Sequence, residues 1–149
     1  MRIRLPLLFF LSLPALAQGA LVSVIRQPRA TLAEFTVPIT DLQVRDQGDF
    51  ARLHLGVGLG LRHWDDGDSA LRFIADANAS AHALFAGLGV VMEARPGDGV
   101  FLGPRLRIGR SFSQTWALSL EAEHLEKPFS PGLSVHRRSS LGLTLTARF

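Results

Sequence analysis

Cysteine is absent from the 149-residue chain, so neither disulfides nor thiolate metal centres contribute to it. Lysine occurs once, at Lys127; all other basic charge is arginine. A strong charge of one sign is also missing. Two of the 16 basic residues, Arg2 and Arg4, lie at the N-terminus and none of the 13 acidic ones do, so the remainder carries 14 − 13 = +1. The two signs are interleaved along it, which removes the unneutralised basic patch that a nucleic-acid partner requires. Beyond residue 25 no stretch approaches the ~20 consecutive apolar residues of a membrane-crossing helix. Heptad patterns and low-complexity linkers are lacking as well.

The N-terminus reads MRIRLPLLFFLSLPALAQGA. Arg2 and Arg4 precede an apolar run, Leu5 to Leu13, followed by Pro14 and the triplet Ala15-Leu16-Ala17. That order of basic, apolar and small-residue segments is that of a cleavable secretory signal, 1–17, with cleavage after Ala17. Pro14 and Gln18-Gly19 interrupt the apolar run, which argues against an uncleaved anchor. Residues 18–149 then form a single domain.

What recurs in that domain is alternation of apolar and polar residues, the period-2 signature of strands. In ARLHLGVGLGLRH, Leu53, Leu55, Val57, Leu59 and Leu61 share one face, while Arg52, His54, Gly56, Gly58, Gly60 and Arg62 share the other. The glycines alternate with aliphatics inside a strand pattern, so GVGLG is not a phosphate loop, which sits between a strand and a helix start. Turn clusters WDDGDS (64–69), RPGDG (95–99) and EKPFSPG (126–132), with shorter breaks at DQGD (46–49) and SFSQ (111–114), divide the chain. Strands are expected near 19–27, 30–46, 49–63, 69–80, 83–95, 99–110, 114–126 and 135–149. Within 30–46 the apolar phase slips, which predicts a bulge between Pro38 and Asp41. The alanine-rich stretch 75–89 has helix propensity, yet Leu71/Phe73 and Leu84/Leu88/Val90 keep the strand period on either side, which predicts strand–turn–strand.

One face of these segments carries Glu34, Arg52, His54, Arg62, Arg72, Asp76, Glu93, Arg105, Arg107, Glu121, Glu123, Arg138 and Arg148; the other is apolar. Alternation alone does not say which face looks inward. Export, long apolar strips and the aromatic terminus favour the apolar face outward, in a closed barrel that spans a membrane. In so small a barrel the lumen is filled with side chains and forms no open pore. Arg105, Arg107 and Arg138 are expected to pair there with Glu121 and Glu123. Both termini and the breaks at 46–49, 81–82 and 111–114 would then share one end. Trp64, Phe112, Trp116 and Phe149 would belong to aromatic girdles.

The chain ends SLGLTLTARF. Its alternating Leu141, Leu143, Leu145, Ala147 and terminal Phe149 resemble the closing strand of bacterial outer-membrane β-barrels, nearest in size to the eight-stranded OmpA, OmpX and PagL types. The resemblance implies an all-β, antiparallel, up-and-down transmembrane β-barrel of about eight strands. It also implies an outer-membrane location, contact with outer-membrane lipids and lipopolysaccharide, and recognition of those five residues by the barrel assembly machinery.

For chemistry, His124 lies near the end of the seventh strand with Glu121 and Glu123 beside it. The layout resembles lipid A deacylases of the PagL type, whose motif sets a serine two residues after the histidine. Here that place holds Glu126, and the nearby hydroxyls are Ser130, Ser134, Ser139 and Ser140. A histidine without a positioned nucleophile does not make a hydrolase, so His124 stays a bare candidate. His54, His63, His82, His124 and His136 lack metal-ligand spacing, and Asp65-Asp66-Gly67-Asp68 lacks the rest of a calcium loop. No cofactor or metal is expected. Arg137 and Arg138, beside His136, are candidates for contact with lipid phosphates.

The leading expectation is thus a structural or interaction role in the outer membrane. The alternatives are an outer-leaflet lipid-modifying enzyme of the lipid A deacylase type, and a soluble periplasmic β-barrel binding module with its apolar face inward. Nothing in the pattern indicates an oligomeric state.

Overall fold

The computed structural model describes residues 19–46, 49–128 and 137–149, with backbone alone at 44–46 and 49–50. The expected signal peptide at 1–17, and Ser130, Ser134 and His136, lie outside the described residues. Eight strands follow in order: β1 (Leu21–Gln27), β2 (Ala30–Asp46), β3 (Asp49–Trp64), β4 (Ser69–Ala81), β5 (Leu84–Arg95), β6 (Gly99–Ser111), β7 (Trp116–Glu126) and β8 (Arg137–Arg148). Each pairs antiparallel with the next, and β8 pairs with β1, so the sheet closes into an up-and-down barrel.

The alternating segments therefore form strands, including the alanine-rich 75–89. There Ala81 pairs with Leu84 across a two-residue turn, with His82 at φ 55°; ladders on both sides outweigh the helix propensity of alanine. The phase slip in β2 is a register shift between Pro38 and Thr40. Pro38 lies beyond the first rung of the β1 ladder, Leu21↔Thr36, where its missing N–H leaves no β1 partner unserved.

Following partners from Leu21 through Thr36, Gly58, Ile74, Val91, Gly103 and Leu125 reaches Arg138, whereas Leu21 itself pairs with Arg148. The difference, 148 − 138 = 10 residues, is the stagger of closure, and it tilts the strands by roughly 35–45°. The connections 28–29, 65–68 and 96–98, the end of β7 and the start of β8 share one end of the barrel, here the loop end. The start of β1, the end of β8, the facing ends of β2 and β3, and the connections 82–83 and 112–115 share the other.

Charge lies inside and apolar surface outside. Arg62, Arg72, Arg105, Arg107, Glu34, Glu93, Glu121 and Glu123 are buried in the lumen, whereas Leu59, Leu71, Val90, Leu106, Leu120 and Leu143 are among the many exposed apolar side chains of the outer wall. The apolar face of the strands thus points outward and the charged face inward. Ile74, Val91, Phe101 and Leu125 form one apolar cluster within the lumen, and Ile25, Ala30 and Leu32 form another against Trp64. Nearer the termini end the Phe85 ring lies across Gly109, where a Cβ would stand 2.5 Å from its Cζ. Glycine there makes room for the ring that fills the barrel.

Candidate functional site

Four of the residues expected to form a lumen network sit in one. Arg105 Nη2 and Arg107 Nη2 each lie 2.8 Å from Glu121 Oε2. Glu123 accepts from Arg72 Nη2 at 2.6 Å and from the Ser140 hydroxyl at 2.8 Å, and also contacts Arg62. The network is larger than the sequence suggested. Arg72, fully buried, reaches three carboxylates: Glu123, Glu93 at 3.1 Å and Glu34 at 3.3 Å. Arg62 lies 2.7 Å from Glu93, and Arg105 Nη1 lies 2.8 Å from Glu34. Four guanidinium groups and four carboxylates thus interlock, with Asp76 on the same lumen face of β4 as Arg72. Glu34 is held by proximity of charge more than by directed hydrogen bonds, since no N–H points well at its oxygens.

Arg138 is not part of this network. Its ladder partner is Leu125, one rung pair above Glu123↔Ser140, so the serine and not the arginine faces Glu123. Arg138 instead donates to Asp98 at 2.8 Å and stacks over the rings of Phe101 and Trp64 at 4.7 and 5.7 Å. Trp64 is turned into the barrel mouth, because it shares the phase of Arg62, and is not in an outer girdle; Arg62 and Arg95 also lie over its ring. Phe112, Trp116 and Phe149 are exposed at the termini end. Leu141, Leu143 and Leu145 face outward, while Ala147 is covered between its cross-strand partners Trp116 and Val22. Phe149 is tied by its backbone to Gly19 and Ala20 at 2.7 and 3.0 Å.

His124 faces outward from β7, and both of its ring nitrogens are engaged. Ser139 on β8, directly across the ladder, has its Oγ 2.7 Å from Nδ1; Glu126, two residues along β7 on the same face, has Oε1 3.1 Å from Nε2. A carboxylate accepts only, so Nε2 carries a proton, and in the neutral ring Nδ1 then accepts from the serine hydroxyl. That is the order of groups that activates a serine: nucleophile, base, and an acid that holds the base in one tautomer.

The strands around this site break a packing rule. The pairs Leu102↔Glu126 and Arg105↔Glu123 put Pro104 across from His124, and Gly103 across from Leu125. A proline offers no donor to the ladder and normally occupies an edge or bulge; here it stands inside a closed sheet. A Cβ on Gly103 would run into the His124 carbonyl oxygen. Beside the site lies a shallow, open groove over Ala122, lined by Leu88, Pro104, Leu106, Ser139 and Leu141.

The sequence named His124 but left Ser139 among four nearby hydroxyls and read Glu126 as a departure. The pairing of Ser139 with His124 depends on the β7–β8 register across a ten-residue connection, which no local pattern specifies. His63 and Ser69 make a second outward pair, 3.0 Å apart. Among the described residues no group of three or more histidine or acidic side chains is gathered for a metal ion. No protein-family model, no curated protein and no solved structure matches the chain.

Proposed function

We propose that the chain is an integral outer-membrane β-barrel, exported by a cleaved signal at 1–17, closed to passage, and working at its lipid-facing wall. An apolar exterior around an ion-paired lumen supports this reading, since a bilayer accepts only a closed sheet with apolar side chains outward. In this reading the loop end faces outward among lipopolysaccharide, and the strand from Leu141 to Phe149 is the signal to the barrel assembly machinery. Envelope fractionation with a heat-modifiability gel tests it: an outer-membrane band that shifts on boiling is expected, and a soluble unshifted band would defeat it.

Within that setting the geometry best supports hydrolysis of a lipid acyl ester. The observation that carries it is His124 bonded on both nitrogens, by Ser139 and Glu126, over an apolar groove. His124 is two residues from the end of β7, on the outer wall close to the loop end. An acyl chain lying over Ala122 brings its ester to Ser139. The Ser139 oxygen attacks the carbonyl carbon while its proton passes to His124 Nδ1. The ester C–O bond then breaks, and the departing alkoxide takes that proton. Water, deprotonated in turn by His124, hydrolyses the acyl-serine; the products are a fatty acid and a lysolipid. Glu126 holds the imidazolium that forms in each step.

The test is fatty-acid release from lipid A and phospholipid by the detergent-purified chain, followed by mass spectrometry. Release by the native chain and none by Ser139→Ala is expected; equal release from both, or none from either, would sink the reading. The second reading is lipid contact without chemistry, favoured by the exposed rim cation Arg137, and it predicts lipopolysaccharide retention with no fatty acid released.

A further inference from the structure

The carboxylate that orients His124 is shared. Glu126 Oε1 accepts from His124 Nε2 at 3.1 Å and also lies 3.0 Å from Arg137 Nε. A guanidinium on that oxygen competes with His124 Nε2 for it, so the carboxylate orients the ring less firmly while Arg137 stays in position. The two rim arginines differ in freedom. Arg138 is committed to Asp98, Trp64 and Phe101. Arg137 begins β8, its side chain is 62% exposed, and Glu126 is its one acidic partner among the described residues.

Arg137 is also two residues from Ser139 on the same outward face, about 7 Å along the strand. A headgroup group borne one sugar or one glycerol carbon away from an ester held at Ser139 comes within its reach. Phosphate is the group best able to draw an arginine off a carboxylate, because it offers several charged oxygens to the planar donor fork; Glu126 engages Arg137 through Nε.

We infer that Arg137 is the specificity residue of this site: a phosphate on the substrate takes Arg137 from Glu126, and the released carboxylate then supports His124, so phosphorylated lipid esters are hydrolysed in preference to neutral ones. The inference rests on the hydrolase reading above. It makes the substrate's own phosphate the switch, and leaves the site quiet toward neutral acyl esters.

The experiment compares phosphatidic acid with diacylglycerol of the same acyl chains, in mixed micelles, using the full detergent-purified chain, Arg137→Gln and Ser139→Ala. The native chain is expected to favour phosphatidic acid by about tenfold in kcat/KM, the scale of one charge-assisted hydrogen bond. Arg137→Gln is expected to raise kcat on diacylglycerol, because Glu126 is freed, and to raise KM on phosphatidic acid, because the phosphate loses its partner. Equal rates of the native chain on both esters would overturn the inference and leave the hydrolase intact. So would an Arg137→Gln variant slowed on both in proportion, the result of a merely structural arginine. Fatty acid released from neither ester, or equally by Ser139→Ala, would remove the hydrolase reading and the inference with it.

Discussion

The outer wall carries two histidine–serine pairs, and they differ in one way that matters. His124 faces Ser139 and His63 faces Ser69, each directly across one ladder near the loop end, at 2.7 and 3.0 Å. Each also borders a groove over an alanine: Ala122 in one, and in the other Ala94, between Leu71 and Val100. Both histidines even have an acid two residues later, Glu126 and Asp65. But β7 runs on through Glu126, which stays on the histidine's face, whereas β3 ends at Trp64. Asp65 enters the turn and is taken by Arg26, 3.3 Å from its carboxylate. A strand one residue longer separates an oriented base from a plain hydrogen bond. The motif resides in the strand end as much as in the residue types.

That contrast can be broken most sharply at the serine. Ser139→Ala should lower ester hydrolysis by about 10⁴ to 10⁶, the range found when members of such a unit are removed, with the heat-shift gel unchanged. Glu126→Gln makes the first site resemble the second, and should cost about 10⁴ in kcat through loss of the held tautomer; fatty-acid release at saturating ester reads it.

The contrast also supposes that both sites ride on one rigid wall, which the lumen network holds. Arg72→Met would strand three carboxylates and should destabilise the barrel by about 3–5 kcal/mol, seen as a lower unfolding temperature in detergent; Glu123→Ala should act in the same direction. Smallest is His63→Ala. It should leave hydrolysis within about twofold and stability within about 0.5 kcal/mol, as for surface changes generally; a large loss of activity there would erase the distinction between the pairs.

How far the sequence could go follows from what sets each feature. Strands are local, and alternation located all eight, with the phase slip at Pro38–Thr40 marking the bulge. Side-chain phase is local too: Trp64 is even-numbered with Arg62, and counting would have turned it into the mouth. Register across a long connection is not local. Arg138 therefore falls opposite Leu125 and misses Glu123, and Ser139 meets His124, only because β8 settles at one particular height against β7. The eightfold charge network was visible as a face but not as pairs, since Glu34, Arg72 and Arg105 meet across the lumen from strands distant in sequence.

The stagger of closure falls unevenly. The β2–β3 ladder has 16 paired positions, whereas β1, seven residues long, meets β8 in only six. Those six join the two ends of the chain, as Ser23 meets Thr146. Contacts so far apart in sequence carry the largest loop-closure cost and form late in folding. The seam is thus the last part to zip and the first to unzip.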